Sequence, residues 1–270
     1  MCHKIVIGAI SIALLTGVAN AEMHAFSLKD GRVLEAEVVD YSATLGKVTL
    51  KRADGKKIPV QTGIFVEADQ AYIREWDAAK AFTSDRFLKI SCDSEVTKKW
   101  KEEIYKDIRD TEGNVEEHLV KEIKYEDVAY EIEFKNTGKT PVDNVRIEYR
   151  IYYEQSRESR ESPISEQYIF SGKSELPSLA GSGTTFLSDA VMVYADNISG
   201  IDWADGSSRV GGKGEVNGFR AKLYLKTASG KEIMREFCDP ATLSTSKFPW
   251  KDGTGKPPKP VDAGKGRKKS

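Results

Sequence analysis

The clearest signal along the chain is strict alternation of apolar and polar side chains. Val128, Tyr130, Ile132 and Phe134 alternate with Ala129, Glu131, Glu133 and Lys135; Val145, Ile147, Tyr149, Ile151 and Tyr153 alternate with Arg146, Glu148, Arg150 and Tyr152. A period of two puts one side of each segment in a core and the other toward water, so both read as half-buried strands. Between them, Asn136-Thr137-Gly138-Lys139-Thr140-Pro141 is a dense turn cluster. Phe87–Cys92 opens the series, and Thr184–Leu187, Val191 with Val193, Phe219–Leu225 and Glu232–Cys238 continue it. Seven or more strands separated by turns predict a β-sandwich over residues 85–250.

Nearer the start the elements are shorter. Val33, Glu35 and Glu37 alternate with Leu34, Ala36 and Val38, a second strand follows at Lys47–Lys51, and Ala53-Asp54-Gly55-Lys56 turns the chain into a third around Ile58–Val60. The period then changes: Ala68, Ala71, Tyr72, Ile73 and Trp76 line one stripe of a short helix over Glu67–Trp76. A small barrel closed by that helix fits residues 24–78. The segment Ser94–Asp110 is open to two readings. Val96, Trp100, Ile104 and Ile108 are spaced by four as on a helix face, yet alternating charge equally suits a long hairpin turning at Thr111–Asn114; the hairpin is slightly favoured.

Two stretches bring in known architectures. The Asp30-Gly31-Arg32 turn, Ala36-Glu37-Val38-Val39, Gly46-Lys47-Val48-Thr49-Leu50-Lys51, the Asp54-Gly55-Lys56 turn and Glu67-Ala68-Asp69-Gln70-Ala71-Tyr72-Ile73 together resemble the Sla-type homology domain, an SH3-like small barrel. That family usually carries a small hydroxyl residue before Glu-Ala-Asp, a helix N-cap, where this chain has Val66. The resemblance implies peptide or partner binding; its fold is carried over and its eukaryotic sorting-peptide ligand is not. Residues 133–154, followed by Ser178–Phe186, resemble the Ig-like domains of extracellular bacterial proteins, which implies architecture only. The expected fold class is therefore mainly β, a small SH3-like barrel with one short helix followed by an Ig-like β-sandwich. In such a sandwich Cys92 on the first strand and Cys238 on the last lie side by side.

Composition locates the protein before it says anything about chemistry. Residues 1–21 have a positive start at Lys4, an apolar run from Ile5 to Val18 and Ala19-Asn20-Ala21 as a cleavage signal, which reads as a secretory signal peptide. The run is broken by Ser11, Thr16 and Gly17 and is shorter than the about 20 apolar residues of a membrane anchor. Nothing later in the sequence is apolar enough to span a bilayer, so an exported, periplasmic or extracellular protein is expected. Its two remaining cysteines, Cys92 and Cys238, form either one disulfide or two buried thiols, with the bridge favoured in an oxidising compartment. Net charge is −1 over the whole chain, −7 for residues 22–250 and +5 for residues 251–270, which are rich in Gly, Pro and Lys and read as a disordered basic tail. That balance favours no specific nucleic acid partner. The tail either touches anionic envelope polymers or nucleic acid, or simply solubilises the terminus.

No reaction is written in the sequence. His24 and His118 have no second ligand at metal spacing, no phosphate loop or nucleophile elbow occurs, and Asp202–Gly206 lacks the alternating oxygens of a calcium loop. No catalytic, cofactor or metal residue is assigned and no cofactor is expected. Arg32, Lys51, Arg52, Lys56 and Lys57 make the turns of the first module basic and are candidates for an acidic partner, or a solvated face. Tyr152 and Tyr168 are candidates for stacking on sugar, or for edge-strand packing. The expected function is a non-enzymatic interaction module for a protein or polymer of the cell envelope. The alternative is an envelope polymer hydrolase with an unrecognised carboxylate pair. Oligomeric state is left open.

Overall fold

The structure is a computed structural model that describes residues 23–109, 112–157, 164–198, 211–228, 230–244, 248–257, 259–260 and 267–269. The signal-type segment and Asp202–Gly206 lie outside the described residues. The described chain is mainly β, with one α-helix, α1 (Glu67–Thr83), and three antiparallel sheets. It divides into two units, Met1–Arg74 and Glu75–Ser270, with the boundary inside α1.

In the first unit β1 (His24–Ser27), β2 (Val33–Ser42), β3 (Lys47–Arg52) and β4 (Lys57–Gln61) form one sheet in the order β1-β2-β3-β4. Alternation in the sequence fixes its inner side: Phe26, Ala36, Val38, Val48 and Leu50 are buried, with Phe65 and Ile73 beside them. Gly31, Gly46 and Gly55 turn the chain between strands with positive φ, a conformation that lacks a steric cost only for glycine. After β4 a 3₁₀ turn (Thr62–Ile64) brings Phe65 back to bridge Leu28, and Val66 N donates to Ser27 O at 3.0 Å. This returns the chain to β1 by a bridge rather than a full ladder, so the sheet does not close into the expected barrel. Helix α1 also runs past its expected end at Trp76 to Thr83. Ala78, Ala79 and Lys80 continue the helix pattern, and they are residues of high helix propensity.

The second unit is built around a hairpin of 22-residue strands, β5 (Leu88–Arg109) and β6 (Val115–Asn136), so the described part of the ambiguous segment, Ser94–Arg109, is hairpin and not helix. Bulges opposite Asp127 and near Ile104 keep apolar residues facing the core despite the length. Strands β9 (Thr184–Leu187) and β10 (Val191–Ile198) pair with β6, and the short β13 (Arg267–Lys269) pairs with β5. The facing sheet has the order β12-β11-β7-β8, from β7 (Val145–Arg157), β8 (Ile164–Glu175), β11 (Gly214–Lys226) and β12 (Glu232–Asp239). The two sheets share one core of Tyr130, Ile132 and Phe134 against Ile147, Tyr149, Ile151, Phe219 and Leu223.

Polar groups lock the ends of this core. Asn136, 1% exposed, donates to the carbonyls of Thr140 and Leu179 and accepts from Gly138 N, which satisfies the turn that the sequence marks so densely. Arg235 donates to Phe82 O and Leu88 O and pairs with Asp85, tying the end of α1 to β12. Lys121 and Asp196, both almost fully buried, pair at 2.7 Å across β6 and β10.

Candidate functional site

The alternation that builds the core also creates an outer face on the β12-β11-β7-β8 sheet. Side by side there stand Met234, Tyr224, Arg146 and Glu175; then Glu236, Lys222, Glu148 and Lys173; then Cys238, Arg220, Arg150 and Ser171; and finally Tyr152 beside Ile169. A segment of the chain, residues 248–255, lies as a strap over the last two rows. Phe248 meets Tyr152 edge-on at 5.4 Å and packs against the cluster of Tyr152, Ile169 and Leu243, against which Cys238 also packs. The Trp250 ring has Arg150 and Lys222 each 4.5 Å and Arg220 5.7 Å from its centre, three cations within reach of one π face.

The strap is held chiefly through its main chain. Arg150 Nε donates to Lys251 O at 2.8 Å, Arg220 Nη1 to Phe248 O at 3.0 Å, Tyr152 hydroxyl to Pro249 O at 3.1 Å and Tyr153 hydroxyl to Gly255 O at 3.4 Å. Thr254 N donates to Ile169 O, and Thr254 Oγ1 accepts from Ile169 N, so the strap reaches the outer edge of β8 as an added strand does. Arg220 is in turn paired with Glu236, and Arg150 also donates to Tyr149 O. Beneath the strap a cavity of about 270 Å³ remains, lined by Tyr152, Gln167, Tyr168 and Asn217 from the sheet and by Phe248 and Thr254 from the strap.

Two expectations for this region change. Tyr152 and Tyr168 are 3% and 8% exposed, so they are buried against the strap and the core rather than offered to sugar. The tail expected to begin at Lys251 is held to the sheet as far as Gly255. The sequence marks Arg150 only as the polar side of a strand, and Tyr152 as that and as a candidate for stacking on sugar or edge-strand packing. It had no signal for the strap, because Phe248 and Trp250 stand beside a Gly- and Pro-rich run that reads as a terminus.

The cysteines are free thiols. Parity explains why the expected bridge between Cys92 and Cys238 is absent. Cys92 faces the core from β5, whereas on β12 Phe237 and Asp239 take the core side and Cys238 points to the outer face. Asp239, not Cys238, is the β12 residue whose charge acts on Cys92. Burial first, then Asp239 and Asp93, push the Cys92 thiol up to about 12. Burial also raises Cys238, against the pull of Arg220.

The basic residues of the first unit gather at one end of its sheet. Lys51, Arg52, Lys56 and Lys57 surround the β3–β4 turn, with Lys51 opposite Lys57, and Arg32 sits at the β1–β2 turn. Carboxylates accompany three of them: Arg32 pairs with Asp30 at 2.6 Å, Lys51 with Glu37 at 3.7 Å and Arg52 with Asp54 at 3.6 Å. That end is a mixed-charge surface, not a purely cationic one.

The other histidine-containing cluster is structural in form. His24 Nε2 lies 2.7 Å from Asp69 Oδ1, its ring is stacked on Tyr72 at 3.9 Å, and Asp69 Oδ2 accepts Ser27 N, which fastens β1 to the start of α1 where Val66 offers no cap. Among the described residues no group of three His, Cys, Asp or Glu side chains could hold a metal. No known protein-family model matches the chain, and no curated protein matches it by sequence.

Proposed function

We propose that this chain is an exported, non-enzymatic interaction module for a protein or polymer of the cell envelope, and that the strapped face of the β12-β11-β7-β8 sheet is its binding surface. One observation carries this reading: Arg150, Arg220 and Tyr152 all donate to main-chain carbonyls of a segment lying across the outer face of the sheet, and Tyr153 reaches Gly255 O from the core side. Donors that read carbonyls accept many sequences, which suits a peptide-binding face. The finer architecture belongs to the same proposal. An SH3-like reading of 24–78 is supported by the order β1-β2-β3-β4 and the 3₁₀ turn that leads back to Leu28; an Ig-like reading of 85–250 is supported by two antiparallel sheets over one core. For export, the support is the leader-like sequence of residues 1–21, together with the finding that no described helix is long and apolar enough to cross a membrane.

Nothing specific favours the hydrolase alternative. Among the described residues the carboxyl groups that are clearly displaced, Asp30, Glu122 and Glu166, all lie below their ordinary range because Arg32, Lys124 and Tyr168 donate to them, opposite to what a general acid requires. The test is retention of envelope components on the immobilised full chain, compared with the same chain carrying Arg150→Ala and Arg220→Ala. The reading expects a defined component that the wild type holds and the double variant releases. Equal retention by both, or cleavage of a cell-wall polymer by the wild type, overturns it.

A further inference from the structure

We infer that the strap, residues 248–255, is a displaceable internal ligand, and that the face beneath it takes in trans an extended peptide with two aromatic side chains two residues apart. This rests on the strapped face being the binding surface and names the ligand class and its regulation.

The strap itself shows what the face recognises. Phe248 and Trp250 are two residues apart, the spacing at which an extended chain directs side chains to the same side. Phe248 enters the cluster of Tyr152, Ile169 and Leu243, and Trp250 enters the cage of Arg150, Arg220 and Lys222. Between and beyond these anchors the sheet contacts the strap through carbonyls and through the Thr254–Ile169 pair.

The same contacts show that the strap is an imperfect occupant. A cavity of about 270 Å³ stays open under it, bordered by Tyr152, Gln167, Tyr168 and Asn217. A space of that size with partly polar lining admits water, and a peptide with a larger or differently placed side chain displaces that water and gains contacts that the strap lacks. Lys251 and Asp252 point outward, Asp252 fully exposed, and add no anchoring contact beyond a long pair from Arg150 to Asp252 at 3.4 Å. The strap has the advantage of tethering, which gives it a high effective concentration; a ligand in trans must outbind it, and this makes the strap a threshold rather than a permanent cover.

Cys238 reports directly on the strap. It packs against the cluster that holds Phe248, and burial raises its pKa, so departure of the strap both uncovers the thiol and makes it more acidic. Cys92, half-buried against the inner core and away from the strap, is an internal reference within the same molecule.

The test uses the full chain and a labelled nine-residue peptide of the strap sequence, Phe248–Lys256, followed by fluorescence anisotropy. The variant Trp250→Ala withdraws the tethered anchor and leaves the cage intact. The peptide is expected to bind this variant at least about tenfold more tightly than the wild type, and a peptide with Ala at the Trp position to lose about tenfold. Cys238 alkylation, mapped separately from Cys92, accelerates in the variant and slows again when peptide is added. Where Trp250→Ala melts early, Thr254→Pro, which removes the donor to Ile169 O, serves the same comparison with both aromatic anchors retained. Equal, weak peptide binding by wild type and variants, with unchanged Cys238 alkylation, overturns the inference. Peptide binding by the variant, with nothing retained from envelope extracts by wild type or variant, upholds the displaceable strap and sinks the envelope-binding reading.

Discussion

The two faces of the β12-β11-β7-β8 sheet come from alternate residues of the same strands, and they are covered in different ways. Toward the core, Tyr149, Phe219 and Leu223 meet the opposite sheet chiefly through apolar and aromatic packing, with Tyr149 and Phe219 stacked on each other at 5.5 Å and Phe219 meeting Tyr130 of the facing sheet at 5.2 Å. Toward the outside, Arg150, Arg220 and Tyr152 hold an eight-residue strap largely by its carbonyls. Side-chain packing is specific to one arrangement, because each volume is fitted to its neighbours. Carbonyl recognition is not, since every residue supplies the same acceptor. The inner face is therefore a permanent joint and the outer face an exchangeable one.

The largest expected difference between the faces appears at high pH. The core that the inner face shares with the opposite sheet is rich in phenols and carries a thiol whose charged forms burial disfavours. Tyr130 and Tyr149 are raised well above the ordinary 10.0, Tyr153 and, in a smaller cluster, Tyr194 to about 12, and Cys92 from 9.0 to about 12. Because these folded values exceed the unfolded ones, the stability they contribute is complete below about pH 9 and drains away as pH rises toward 12 and beyond. Phenolate absorbance and far-ultraviolet circular dichroism, titrated together, should show the buried tyrosines ionising only as the sheets unfold. A single smooth titration with the fold intact would mean that the inner face is wet.

Among substitutions, Phe219→Ala comes next. The side chain is 0% exposed and touches rings on both sheets, so its removal should cost about 3–5 kcal/mol in denaturant unfolding. Gly172→Ala follows at about 1–3 kcal/mol, through overpacking: a β carbon there would fall 2.2 Å from Tyr149 Cζ, and that ring is held by the Tyr149 hydroxyl to Asp189 at 2.7 Å. A double variant with Tyr149→Leu should recover part of the Gly172→Ala loss, and no recovery would place the clash elsewhere.

The inner face was legible in the sequence, and the outer face was not, for a physical reason. Alternation marks a core because burial favours apolar residues at every second position, and Val145–Tyr153 and Val128–Phe134 announce themselves that way. The hairpin through Ser94–Asp110 was half legible, since its long charged arms satisfy more than one period. Strand β8 escaped notice: only Ile164, Tyr168, Ile169 and Phe170 are large and apolar in a run of Ser, Glu, Gln, Gly and Lys, and its pairing partner, not its composition, makes it a strand. Cys238 misled because a position next to the last strand's core residues looks equivalent to one in the core, while one step along the pleat reverses the side. The strap left no pattern at all, because carbonyl acceptors are invisible in a sequence.

The smallest expected effect is also the sharpest test of how the outer face works. Arg150→Lys keeps the positive charge beside Trp250 and removes the fork that donates from Nε to Lys251 O and from Nη1 to Tyr149 O at 2.9 Å. If charge beneath the ring were what holds the strap, the replacement would be silent. If carbonyl recognition holds it, one ammonium cannot reach both acceptors with the same geometry, and unfolding in urea should lose about 1 kcal/mol with an unchanged slope. Cys238 alkylation should rise in step, because the lost bonds belong to the strap, while Cys92, packed in the inner core, keeps its wild-type rate. A rise at Cys92 as well would mean that the two faces open together, and the strap would then be part of the core rather than a cover over it.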